Sequence, residues 1–266
     1  MAALDEPFWL IPLLLAGLCG LCCPLLGTLL VLQRRVLAAN LMAYAVLPGV
    51  VIGQALALPP LLAGSASALG AVLLVEALIA IRGDEGGAAE AVLNTVLAAS
   101  LGLGVLLVQA LGLPVDLEAL LFGDLLVASP ADLMRMALVL ALVLLVTCRG
   151  FEQWQWLGLD PEGAEQLELP VRGLRLGMAA LTALVVVCAT AAVGLALVMG
   201  LICAPSLAAL AGATSLGQAL CRGALIGLVV SLVGCAVALG LDLPPGPLMA
   251  SGCLLLLLLR RSVPTV

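Results

Sequence analysis

The chain is built from apolar runs long enough to cross a lipid bilayer, and these runs recur along nearly its whole length. Of the 266 residues, 64% are hydrophobic and only 10% are charged, whereas soluble domains carry about a quarter charged residues. A spanning helix needs roughly 20 apolar residues, and many segments here meet that requirement. The sequence therefore predicts an all-α, polytopic transmembrane helical bundle, with residues 1–266 forming one integral membrane domain.

Eight or nine spans are predicted, because the seventh and ninth candidates are short. Basic residues concentrate in cytoplasmic loops, and Arg34, Arg35, Arg149 and Arg260 fall on one side of the bilayer if the chain has nine spans. That arrangement predicts an N-terminus outside and a C-terminus in the cytoplasm. The candidate spans are Phe8–Leu32, Val36–Leu56, Leu61–Ile81, Ala91–Leu111, Leu133–Cys148, Leu174–Ala196, Val198–Ala211, Ala219–Leu241 and Leu248–Leu259.

Two acidic residues near span ends have candidate partners. Asp132 and Arg135 are three residues apart, which places them on one face of a helix, where they can pair. Glu76 lies about one turn before the end of the third span. It is expected to reach the interface with its carboxylate, and pairing with Arg82 or a place along a pore are the alternatives.

One long polar segment interrupts the second half of the chain, at about residues 150–173, and is predicted to be cytoplasmic. Asp160 can cap a helix, Pro161 suits its first position, and Glu162 complements the helix dipole. Pro170 limits the helix to about two turns, because proline has no N–H and disfavours helix before it. The segment is interpreted as a docking helix for a soluble partner, with a solvated connector as the alternative.

This helix resembles the coupling helix of the zinc/manganese-type ABC transporter permeases. Its residues are Leu159-Asp160-Pro161-Glu162-Gly163-Ala164, followed by Leu169-Pro170-Val171-Arg172, against a family pattern of Phe-Asp-Pro-Glu-x-Ala…Gly-(Ile/Leu)-Pro-Val. Four further blocks follow the family order: Leu32-Gln33-Arg34-Arg35 with Ala45-Val46-Leu47-Pro48-Gly49, Leu121-Phe122-Gly123, Leu201-Ile202-Cys203-Ala204-Pro205, and Leu241-Asp242-Leu243-Pro244-Pro245-Gly246-Pro247.

The resemblance implies a membrane subunit of a bacterial inner-membrane importer that works by alternating access in a homodimer. Two ATP-binding cassette subunits would bind the coupling helices, and an extracytoplasmic metal-binding protein would deliver a divalent metal ion such as Mn, Zn or Fe. The coupling helix would include Asp160, Pro161, Glu162, Ala164 and Leu169. ATP and Mg would bind the partner ATPase, and this chain would bind no cofactor of its own.

The residue content agrees with a transport subunit rather than an enzyme. The chain has no Lys and no His, so it has no phosphate-binding loop of the Gly-x-x-x-x-Gly-Lys-(Ser/Thr) type. It also lacks a His-Glu-x-x-His zinc site and any Ser–His pair. Nothing in it resembles a basic surface for nucleic acid.

The substrate path is expected around Asn40 and Tyr44, where the resembled family has an aspartate and a histidine. A spacing of four residues points both side chains to the same side of the second span. An amide oxygen and a hydroxyl carry no negative charge at neutral pH, so these two residues would hold a metal ion weakly. Weak binding is compatible with transport, because an ion must also leave.

Three other residues are weaker candidates for the path or for metal binding. Met42 shares the second span and is either a packing residue or a soft gate residue. Cys203 is a possible thiolate ligand, and Glu90 is either a ligand or a carboxylate that complements the start of the fourth span. A permease for iron chelates, haem or cobalamin, and a membrane sensor or scaffold that transports nothing, are the alternative functions.

Overall fold

The computed structural model describes residues 9–82, 88–112, 123, 125–167, 169–241 and 243–259, and these are largely helical, without strands. A single 3₁₀ turn, Leu125–Val127, precedes the fifth helix. The helices are α1 (Leu10–Leu32), α2 (Val36–Ala55), α3 (Pro60–Arg82), α4 (Ala88–Leu111), α5 (Pro130–Arg149), α6 (Phe151–Leu159), α7 (Pro161–Gln166), α8 (Val171–Val193), α9 (Leu195–Leu210), α10 (Leu216–Leu241) and α11 (Pro245–Leu259).

Seven helices of the described chain are long and apolar enough to cross a membrane: α1 to α5, α8 and α10. They match seven of the nine predicted spans. The two spans that were predicted to be short correspond to the shorter apolar helices α9 and α11. The all-α, polytopic fold is therefore confirmed. Leu121 and Phe122, which belong to one of the blocks in the family order, lie outside the described residues.

The boundary between α8 and α9 lies at Gly194, which has φ of 83°. Glycine enters this left-handed region at little cost, so α9 can begin only one residue after α8 ends. The sequence predicted the break a few residues later, because Gly194 is surrounded by apolar residues and no proline or polar residue marks the turn.

The described chain divides into two compact units, and the prediction of one domain stays a prediction. Unit 1 comprises the described residues within 1–31, 118–155 and 188–266. Within it α9 packs against α10 and α11. The hydroxyls of Thr28 and Ser206 both donate to the Pro24 carbonyl oxygen, at 2.7 and 3.1 Å, which links α1 to α9.

Unit 2 comprises the described residues within 32–117 and 156–187, and α2 is its central helix, in contact with α3 and α4. The Ser67 hydroxyl on α3 donates to the Ala45 carbonyl oxygen on α2 at 2.7 Å. A Cβ atom at Gly49 would lie 2.6 Å from the Ala63 carbonyl oxygen, so only glycine permits this approach of the two helices. Small residues and hydroxyls at such interfaces are typical of helix packing in membranes.

Candidate functional site

The predicted coupling helix is present as α7, and its first turn is capped as the sequence predicted. The Asp160 Oδ1 atom accepts a hydrogen bond from the Gly163 N–H at 2.9 Å. This bond satisfies one of the free N–H groups at the start of the helix. Asp160 itself is exposed, so the cap lies on the surface of the unit.

The helix is shorter than predicted, because it ends at Gln166 rather than reaching Leu169. The Leu169 N–H donates to the Ala164 carbonyl oxygen at 3.2 Å, and the Val171 N–H donates to the Leu169 carbonyl oxygen at 2.7 Å. Leu169 therefore lies in the connection to α8. Pro170 explains this, since the residue before a proline is disfavoured in helical conformation.

The residues of the family pattern around α7 are not all exposed. Ala164 is completely buried. In contrast, three large apolar side chains near α7 are exposed: Trp156 (44%), Leu159 (63%) and Leu167 (55%). Large exposed apolar patches mark surfaces that bind other proteins, and these three side chains are our candidates for such a surface in the polar segment. We call Trp156, Leu159 and Leu167 the docking triad.

The sequence analysis missed α6, the nine-residue helix before Asp160. Trp154 is buried, and its indole Nε1 donates to the Val146 carbonyl oxygen near the end of α5 at 3.2 Å. Three residues further on, Leu157 is also buried. Apolar residues at Phe151, Trp154 and Leu157 have the spacing of one helix face, and this pattern could have predicted α6.

On α2 the two candidate path residues are equivalent in burial. Asn40 and Tyr44 are both half-buried, and four residues in a helix bring their side chains to the same side. Pro48 has no N–H to donate to the Tyr44 carbonyl, which removes one helix hydrogen bond next to these side chains. The same side of α2 thus carries an amide, a phenol and a backbone oxygen without its usual helix partner.

Met42 differs from these two residues. It is 1% exposed, and two residues along a helix correspond to a rotation of about 200° from Asn40. Its side chain is therefore buried, on the side of α2 away from Asn40 and Tyr44. The packing interpretation of Met42 fits this position better than the gate interpretation.

The remaining candidates do not form a metal site with any neighbour that the structure describes. Glu90 is exposed in the first turn of α4, and Cys203 is half-buried on α9 in unit 1. Within the described ranges, no group of three or more Asp, Glu, Cys or His side chains is arranged to hold a metal ion. Chemically, the side of α2 that carries Asn40 and Tyr44 offers neutral oxygen ligands, which can hold a hydrated ion or complex only weakly.

Comparison with known proteins gives a match along almost the whole chain. The model of a family described as the ABC 3 transport family matches residues 6–263. A chelated iron transport system membrane protein of Yersinia pestis is 26% identical over 241 residues, which cover 91% of this chain and 80% of that protein. A manganese transport system membrane protein of Halalkalibacterium halodurans is 27% identical over 236 residues, covering 87% of this chain and 78% of that protein.

The fold is also found among solved structures. The structure of PsaBC from Streptococcus pneumoniae in complex with Fab has a chain that superposes with a TM-score of 0.89 and 22% identity. The superposition covers 97% of this chain and 92% of that chain. At this identity the likeness establishes the common fold.

Proposed function

Since the chain belongs to the ABC 3 transport family, we propose that it is the membrane-spanning permease subunit of an ATP-driven importer for divalent metal ions. The observation that carries this proposal is the family match over residues 6–263, which includes the spans and the coupling segment together. The names of the relatives, which concern manganese and chelated iron, support a metal substrate. Mn, Zn and Fe ions are the candidate cargoes.

The proposed partners are a second copy of the chain, two ATP-binding cassette subunits and an extracytoplasmic metal-binding protein. The docking triad supports a contact with the ATPase, because it places large apolar side chains on the outside of a polar segment. The complete burial of Ala164 supports a mechanical role for α7, since a force on α7 would act on the residues packed around this side chain. ATP binding and hydrolysis would then change the access to the path by way of α7.

The side of α2 with Asn40 and Tyr44 supports transit rather than tight binding. An ion crossing at this place would exchange some waters for neutral oxygens and then leave. Affinity and choice of metal would come from the extracytoplasmic binding protein. The bacterial inner membrane, with the N-terminus outside, is the proposed location.

A chelated metal is the second candidate substrate, and the residues at positions 40 and 44 are the observation that favours it. Asn40 and Tyr44 can donate hydrogen bonds to the oxygens of a chelator, whereas a carboxylate could not. The chain contains no His for direct coordination. A chelate would therefore suit this side of α2 at least as well as a bare ion.

Elemental analysis of whole cells under metal limitation tests the proposal. Cells that carry the chain with its ATPase and binding protein are compared with cells in which only this chain is deleted. We expect a selective loss of one metal, among Mn, Zn and Fe, in the deletion cells. Uptake of the isotope as a free ion and as a chelate then distinguishes the two candidate substrates.

The same comparison can contradict the proposal. No change in any metal, combined with a partner ATPase that no metal or chelate stimulates, would favour a sensor or scaffold that binds its partners but transports nothing.

A further inference from the structure

Unit 2 contains a cavity of about 680 Å³ that none of the proposed transport steps uses. It opens where several helix ends meet: Arg35 precedes α2, Ala89 is the second residue of α4, and Arg172 and Arg175 lie in the first two turns of α8. Its size falls within the range of about 300–1,000 Å³ that is usual for small-molecule sites.

Among the described residues that line this cavity, the polar side chains are mostly cationic. Three guanidinium groups there face one carboxylate, that of Glu76. This carboxylate is already paired, because Arg35 Nη1 lies 3.2 Å from its Oε1 atom. The side chain of Arg82, the partner that the sequence suggested, lies outside what the structure describes. Arg172 and Arg175 form no ion pair with any other described residue.

The position of these two arginines in α8 adds to the positive potential. The first turn of a helix has unpaired N–H groups and a partial positive charge, so cations are disfavoured there. Arg172 and Arg175 therefore place two further charges at an end that is already positive. An anion bound between them would relieve this repulsion, and a metal cation would be repelled.

The rest of the described lining is apolar and includes residues one to two turns from the charged side chains. Leu69 and Leu73 lie on α3 one to two turns before Glu76, and Leu176 follows Arg175 on α8. Leu73 and Leu176 are about half exposed, at 50% and 53%. A free inorganic anion would make no favourable contact with these apolar side chains, whereas an acyl chain would cover them.

We propose that this cavity binds an anionic phospholipid, with the phosphate on Arg172 and Arg175 and the start of an acyl chain along Leu69, Leu73 and Leu176. Basic pockets between transmembrane helices are suited to such head groups, and each arginine near an anionic lipid surface strengthens binding about fivefold. The proposal concerns a bound lipid and does not depend on which substrate is transported.

Native mass spectrometry of the full-length protein in detergent tests this site. Phosphatidylglycerol is titrated against phosphatidylcholine, which has the same kind of tails but no net charge. We expect preferential binding of one phosphatidylglycerol, and about twenty-five-fold weaker binding after the double substitution Arg172→Gln and Arg175→Gln. Arg149→Gln, which removes an exposed arginine at the end of α5 and outside this cavity, is the matched control and should bind as the unmodified protein does.

Two further measurements accompany this titration. One distinguishes a lipid phosphate from a free phosphate, and the other uses a conservative variant as a check on folding. Glycerol 1-phosphate carries the head group without tails, and it should compete only at concentrations far above those of the lipid. Arg175→Lys keeps the charge but loses the two-pronged geometry, so its affinity should fall between those of the double variant and the unmodified protein. Equal binding of phosphatidylcholine, unchanged affinity in a folded double variant, or equally good competition by glycerol 1-phosphate would each overturn the proposal.

Discussion

Individual small residues decide how closely α1 approaches its neighbours in unit 1. A Cβ atom at Gly27 would overlap the Ile202 carbonyl oxygen on α9. At Gly20, it would lie 2.6 Å from the Gly227 carbonyl oxygen on α10. Both obstacles are backbone atoms, which cannot move aside as a side chain can. Lipid tails are as apolar as leucine, so close backbone packing rather than hydrophobic exclusion stabilises such helix contacts.

The substitution Gly27→Ala should therefore destabilise the protein, by about 1–3 kcal/mol as in other overpacked cores. The matched control is Gly17→Ala on the same helix, where the added Cβ would meet only leucine side-chain atoms at 3.4 Å. That control should be neutral or slightly stabilising, since alanine favours helix over glycine. Thermal unfolding in detergent measures both variants, and equal melting temperatures would show that α1 and α9 do not pack this closely.

At the residue scale, the sequence predicts contacts between near neighbours and misses distant ones. The Asp160 cap and the Asp132–Arg135 pair, at 3.2 Å, each join residues three positions apart, so helix geometry alone determines them. The pair of Arg35 and Glu76 joins residues 41 positions apart. This pair forms only because α2 packs on α3, and no local sequence pattern predicts that packing.

At the scale of secondary-structure elements, the membrane spans were easier to predict than the short helices between them. A run of about 20 apolar residues has a single stable form in a bilayer, because every backbone polar group must be paired within the segment. The short helices α6 and α7 have no such constraint. The sequence did predict the start of α7 from its cap. It missed α6, whose buried residues Trp154 and Leu157 are separated by Gln155 and the exposed Trp156.

The burial pattern of α7 changes which substitution tests the coupling role. Ala164 is completely buried, so an arginine there should lower the stability of unit 2 rather than only disturb a partner contact. Leu167 is exposed at 55% and belongs to the docking triad. It can be changed without altering the interior of the unit.

We therefore expect Leu167→Arg to weaken ATPase binding at least about tenfold and to uncouple ATP hydrolysis from uptake, because an apolar contact of the docking triad would be replaced by a charge. The melting temperature and the membrane insertion should stay unchanged. Leu167→Met keeps the apolar surface and should behave as the unmodified protein. Co-purification of the ATPase and isotope uptake measure the effect, and normal uptake with Leu167→Arg would contradict a docking role for this residue.

At the scale of the whole molecule, a permease must let its substrate leave as readily as it enters. The side of α2 that carries Asn40 and Tyr44 presents neutral oxygens, so the barrier to release should be low. The side chains that would make a tight site are those that the resembled family has there, an aspartate and a histidine. Their absence predicts fast transit with little retention of metal.

The double substitution Asn40→Asp and Tyr44→His should increase the retention of metal and slow its release. A carboxylate and an imidazole on one side of α2 are better ligands for Zn²⁺ or Mn²⁺ than an amide and a phenol. We expect the purified double variant to retain at least about tenfold more metal after washing, equivalent to about 1.4 kcal/mol. Uptake by cells should become slower, because release would limit the cycle.

The two single variants are the controls for this experiment. Each supplies one of the two ligands, so each should retain less metal than the double variant. Retention measured by elemental mass spectrometry and uptake measured with a metal isotope then report binding and release separately. If both single variants retained as much metal as the double variant, positions 40 and 44 would not share one site. If retention rose while uptake stayed the same, the path of the metal would not pass this side of α2.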